Sequence, residues 1–190
     1  MTVLVRACNE VEVPIHTKCI EILCHLSRGS TNILRLIESE GALSTLQRIS
    51  ENSGKAEDRL FALRAAQNIS CESNGRQALA ASSFAYILPQ LVHRSNSIEE
   101  QTAAVSTVLN LCIDSESVLL IATKPNMIAV LTHLCTHESE LIRDIACDTL
   151  AIVSFWLQKF ASKGIVPAEM DAQSLPTENV YAWDFFLSGI

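Results

Sequence analysis

Four short apolar phrases recur along this chain at a nearly constant interval: CHLS (24–27), QNIS (67–70), LNLC (109–112) and LAIV (150–153). Their second residues, His25, Asn68, Asn110 and Ala151, lie 41 to 43 residues apart. A second series keeps step with the first. STLQRI, YILPQL and AVLTHL align Leu46 with Leu88 and Leu131, and Ile49 with Leu91 and Leu134. Both series are in a helical register. A helical unit of about forty residues cannot bury its apolar face alone, so it must stack on its neighbours. This predicts a one-dimensional array of helices with one continuous core.

Composition agrees and removes other classes. Of 190 residues, 48% are hydrophobic and 18% charged, enough to bury a core and too apolar for a disordered chain. Only 5% are aromatic. A net charge of −7, with a pI near 5.2, speaks against a phosphate-binding surface, so nucleic acid is not expected as a partner. No run reaches the ~18 apolar residues that a membrane span needs. Asn9, Glu10 and Glu12 interrupt the N-terminus as a signal sequence. A soluble, intracellular protein is expected, with no membrane partner.

The seven cysteines (Cys8, Cys19, Cys24, Cys71, Cys112, Cys135 and Cys147) contain no C-x-x-C pair. They read as reduced thiols, several in small apolar slots. His133, Cys135 and His137 in HLCTH are the sharpest zinc alternative, but the cysteine would face away from the two histidines and no fourth ligand is indicated. No metal and no cofactor is expected.

Along the chain, the segment 1–12 reads as the end of a helix and an acidic turn, so the array starts in mid-repeat. A stripe of Ile15, Cys19, Ile22 and Leu26 predicts a helix over 15–26, followed by short helices over 32–39 and 42–49 that part at Gly41. SENSGKAED (50–58) reads as a loop. The second unit places helices over 59–70, 77–81 and 86–93, where Pro89 predicts a kink or a late start. The third places them over 98–112, 114–121 and 127–135, with Pro125 and Asn126 as the break. The longest helix is expected over 138–160. The domain reading is therefore helical repeats over 1–164, the first incomplete, and a capping segment with an aromatic helix over 165–190. That tail holds four of the ten aromatic residues, Tyr181, Trp183, Phe185 and Phe186. They serve either as a cap on the apolar end of the array or as anchors for a partner.

The pattern EGALSTLQRIS…LFALRAAQNIS resembles the armadillo repeat, over about 15–163. The resemblance implies an all-α fold, a right-handed α-solenoid of about three and a half to four armadillo-like repeats. In such repeats a short helix, a Gly break, a second helix and a long third helix form one unit. The third helices line a groove, where an asparagine bonds the backbone of an extended peptide. Asn68 and Asn110 match that position; His25 and Ala151 replace it in the flanking units. The tryptophan of importin-type repeats is replaced by Glu21, Arg64, Ser106 and Cys147, which speaks against classical nuclear-signal binding. By helical spacing the groove face comprises Lys18, Glu21, His25, Phe61, Arg64, Asn68, Ser106, Asn110 and Asp144. Its mixed charge favours no single charged ligand. A narrower likeness, over 109–164, is to the C-terminal armadillo-like region of rotatin-type scaffolds. It implies a C-terminal fragment of a larger cytoplasmic protein at the centrosome, centriole or basal body, assembling with a smaller partner.

The chain carries no Gly-rich phosphate loop, no G-x-S-x-G and no H-E-x-x-H, and its carboxylates are scattered. The function read from the sequence is a non-enzymatic protein-protein interaction scaffold for an extended or helical segment of another protein. Self-association into a homo-oligomer, a purely structural solenoid, and a generic armadillo adaptor that binds an extended peptide are the alternatives.

Overall fold

The computed structural model describes residues 1–10, 15–94 and 97–163. Among them are eleven α-helices and no strand. They are α1 (Thr2–Ala7), α2 (His16–Leu26), α3 (Ser30–Ile37), α4 (Ala42–Asn52), α5 (Ala56–Ser70), α6 (Ser73–Ala81), α7 (Phe84–Arg94), α8 (Ile98–Leu111), α9 (Ser115–Ala122), α10 (Met127–Leu134) and α11 (Glu140–Ser162). Each of the last three units supplies a short first helix (α3, α6, α9), a second (α4, α7, α10) and a long third (α5, α8, α11). α1 and α2 take the places of a second and a third helix ahead of them. Like packs on like: α2 on α5 on α8 on α11, and α1 on α4 on α7 on α10. The result is an all-α solenoid.

The turn from first to second helix needs a left-handed residue, and the sequence supplies one that tolerates it. Gly41 (φ 78°) and Asn126 (φ 61°) take the same place before α4 and α10. Gly75 answers a different demand. A Cβ there would lie 1.9 Å from the Ile69 carbonyl oxygen, so only glycine lets α6 cross the end of α5. The core is a continuous file of Leu, Ile, Val and Ala, including Ile20, Leu23, Leu63, Ile69, Val108, Leu111, Ile142 and Val153.

Several boundaries differ from those expected. SENSGKAED is mostly helical: α4 runs to Asn52 and α5 starts at Ala56, leaving a link of 53–55. Its polar residues mislead because Ser50 and Asp58 are buried against neighbouring helices. α6 begins at Ser73, ahead of the expected 77. α7 starts at Phe84 and runs through a buried Pro89, so the proline lies beyond the first turn, where a late start would have put it. α2 turns its stripe: Ile15 and Ile22 are 57% and 48% exposed, and His16, Cys19, Ile20, Leu23 and Cys24 face inward. The aromatic tail, with Tyr181, Trp183, Phe185 and Phe186, lies outside the described residues.

Candidate protein-binding face

The four third helices present their solvent side as parallel rows, offset by the repeat length. One row is His25, Asn68, Asn110 and Ala151; a turn earlier runs Glu21, Arg64, Ser106 and Cys147. All nine residues expected on this face reach solvent. Lys18, His25, Arg64 and Asp144 are exposed, and Glu21, Phe61, Asn68, Ser106 and Asn110 are half-buried. Spacing of three and four residues puts those of each helix on one side.

The asparagines also bind within the chain, which sequence reading missed. Asn68 Nδ2 donates to Ser27 Oγ at 2.9 Å and to the Cys24 carbonyl at 3.3 Å. Asn110 Nδ2 donates to Ser70 Oγ at 2.9 Å. Each serine in turn donates its hydroxyl to the carbonyl three residues back, Ser27 to Cys24 and Ser70 to Gln67, both at 2.6 Å. With its proton spent there, the serine oxygen can only accept. The asparagine must therefore point its NH2 inward, at the end of the preceding third helix. Its carbonyl Oδ1 is the atom left to face a ligand. The signal was present in the sequence, in the final serines of CHLS and QNIS.

Charge on the face is arranged in patches. Lys18 donates to the Glu21 carboxylate, which holds Glu21 below the ordinary carboxylate range and raises Lys18. His25 Nε2 lies 3.9 Å from the other Glu21 oxygen. Arg64 makes no hydrogen bond with the described residues. Burial raises the Cys24 thiol of α2 and the Ser97 hydroxyl lowers Glu99 of α8, and the Arg64 charge adds a smaller downward pull at each. Arg64 is thus a cation available between two helices.

At the opposite end of the α5–α8 seam, an open cavity of about 480 Å³ is lined by Glu51, Arg59, Arg94 and Glu100 among others. Arg59 there is bound to Glu100 at 3.0 Å and to the Ser53 carbonyl at 2.9 Å, so the polar groups serve the seam. The HLCTH histidines also have other roles. The His133 ring meets His93 edge-on at 6.4 Å, and His137 Nδ1 accepts the Ser139 N–H at 3.0 Å. Among the described residues no three His, Cys, Asp or Glu side chains are grouped to hold a metal ion, and no single helix is long and apolar enough to cross a membrane.

No family model matches the chain, and no curated protein matches it by sequence. Solved structures do match. A designed armadillo repeat protein in complex with the peptide (KR)4 superimposes with a TM-score of 0.74 at 22% identity, over 86% of this chain and 70% of that one. A computationally designed armadillo repeat protein for modular peptide recognition gives 0.73 at 22% identity over the same shares. An engineered protein gives 0.71 at 18% identity over 86% of this chain and 67% of that one. The fold of this chain is armadillo-like.

Proposed function

We propose that the chain is a protein-binding scaffold that holds an extended segment of another protein along the third helices α2, α5 and α8. The observation that carries this reading is the row of Asn68 and Asn110, whose amides are pinned by Ser27 and Ser70 so that their Oδ1 atoms are left outward. Two acceptors fixed one repeat apart suit the backbone N–H groups of an extended chain and lose little entropy on binding. Arg64 supplies a cation between them for an acidic side chain, and Phe61 an apolar edge. Asp144, farther along, suits a basic residue. The mixed charge favours a peptide of mixed charge, unlike the wholly basic (KR)4 held by the designed neighbour. His25 and Ser106 complete the face.

The test is selection of a displayed random peptide library on the full chain, followed by titration of the enriched peptides. Arg64→Glu touches no internal bond, so it should weaken them about tenfold or more with thermal stability unchanged. Asn68→Ala with Asn110→Ala should weaken them further. Peptides that bind all three proteins equally would defeat the groove reading.

For the cellular setting, the likeness of 109–164 to rotatin-type regions supports the centrosome or basal body, within a larger cytoplasmic assembly. A tagged chain that never coincides with a centriole marker would remove that setting.

A further inference from the structure

α11 is longer than the array requires. Ser70, where α5 ends, corresponds to Cys112 and then to Val153, the last buried residue of α11. The helix nevertheless continues to Ser162. At a rise of about 1.5 Å per residue, the overhang is roughly 13 Å. It carries an aromatic cluster. Phe155 and Trp156 meet edge-on at 5.6 Å, and Trp156 stacks on Phe160 at 5.8 Å. Lys159 lies over the group, its Nζ 4.5 Å from the Trp156 ring centre. Phe155 is 59% exposed and Trp156, Leu157 and Phe160 are half-buried.

We propose that this aromatic overhang is the seat of the chain's own C-terminal segment, Tyr181 to Phe186. Three observations select that occupant. α11 ends at Ser162, two residues past Phe160, so the segment is tethered to the end of the helix that carries the seat. The intervening stretch can span tens of ångströms, at about 3.3 Å per extended residue, and tethering makes the encounter intramolecular. The composition matches: YAWDFF supplies Tyr181, Trp183, Phe185 and Phe186 for offset or edge-on ring contacts. The charge matches too, since Asp184 is the one side chain charged at neutral pH from Tyr181 to Ile190, and Lys159 is a cation set over the seat. Seated there, the segment does what a further repeat would do and covers the apolar surface of the overhang.

The chain's two tryptophans, Trp156 and Trp183, make this measurable in the full-length protein. Trp183→Phe keeps a ring in the segment and leaves Trp156 as sole tryptophan reporter. The expected result is blue-shifted emission with weak acrylamide quenching, independent of protein concentration. Adding Phe185→Ala and Phe186→Ala should shift the emission to the red and raise the quenching, with helical circular dichroism retained. Lys159→Glu should do the same, and Asp184→Lys in that background should restore the shielding. Trp156 equally open to quencher in every variant would overturn the proposal. So would shielding that appears only as concentration rises, which would assign the seat to a second copy. Shielding that requires another protein would assign it to a partner and likewise overturn the proposal.

Discussion

The seams α2–α5 and α5–α8 are built differently from the seam α8–α11. Each inner seam is closed at both ends by a polar rung. At the start of the helices, His16 Nδ1 lies 3.3 Å from buried Asp58 and Arg59 binds Glu100; at the other end stand the Asn68–Ser27 and Asn110–Ser70 bonds. One repeat on, the acid position of Asp58 and Glu100 is Leu141, and the place of His16 and Arg59 is taken by Gln101, which turns to the Val92 carbonyl. At the far end, Cys112 and Ala151 stand where the serine and asparagine stood. Among the described residues the last seam is held by apolar contact alone. Apolar contact is not directional, whereas rungs at both ends fix the register of two helices. The inner third helices are therefore the rigid platform, and the last unit is the compliant one.

The largest expected effect comes from breaking an inner rung. Arg59→Ala removes the ion pair to the buried Glu100 carboxylate and the bond to the Ser53 carbonyl and should cost about 2 kcal/mol, read by urea unfolding. Leu141→Ala at the last seam touches a mostly exposed side chain and should stay within about 0.5 kcal/mol. Comparable losses would erase the distinction between seams. Hydrogen exchange gives the same contrast without mutation: amides of α11 should exchange through local openings well before those of α5. Protection of α11 equal to that of α5 would mean that packing alone locks the last unit.

How much of this could be read from the chain follows the same division. The repeat offset named the third helices and their outward rows, because periodic apolar phrases report what must be buried. Gly41 and Asn126 marked equivalent turns, since few other residues accept a positive φ. The rungs were not read, although both partners were in view. A hydrogen bond from Asn68 to Ser27 needs to be known as a contact between adjacent helices, and 50–58 looked like a loop because Asp58 is a seam residue with loop-like polarity. The Ile15 and Ile22 stripe failed for a related reason. A spacing of three and four residues marks one face of a helix without saying that it is the inward one, and in α2 the inward face is Cys19, Ile20, Leu23 and Cys24.

The missing rung can be installed. Cys112→Ser should donate to the Leu109 carbonyl as Ser27 and Ser70 do to theirs, and Ala151→Asn should then donate to its oxygen. The double variant is expected to gain about 1 kcal/mol in the free energy of local opening of α11, the net worth of one such bond. Ala151→Asn alone should gain much less. If the two substitutions give no coupling, the Asn–Ser bonds of the inner seams follow from helix placement and do not set it.

The smallest effect is set by alkali, and it too separates the seams. Where the inner seams have serine, the last has Cys112, fully buried, whose thiol burial pushes up to about 12 from an ordinary value of 9.0. A thiol that ionises more readily unfolded than folded contributes stability that is whole below about pH 9 and falls as pH rises toward 12, because the unfolded chain releases the proton first. Between pH 7.5 and 9.5 this amounts to under about 1 kcal/mol. It should appear as a shallower decline of stability with pH in Cys112→Ala than in the native chain. Serine does not titrate in this range, so substitutions at Ser27 or Ser70 should leave the slope unchanged. An identical slope in all three would show that α8 and α11 part freely enough for Cys112 to meet solvent while the inner seams stay closed.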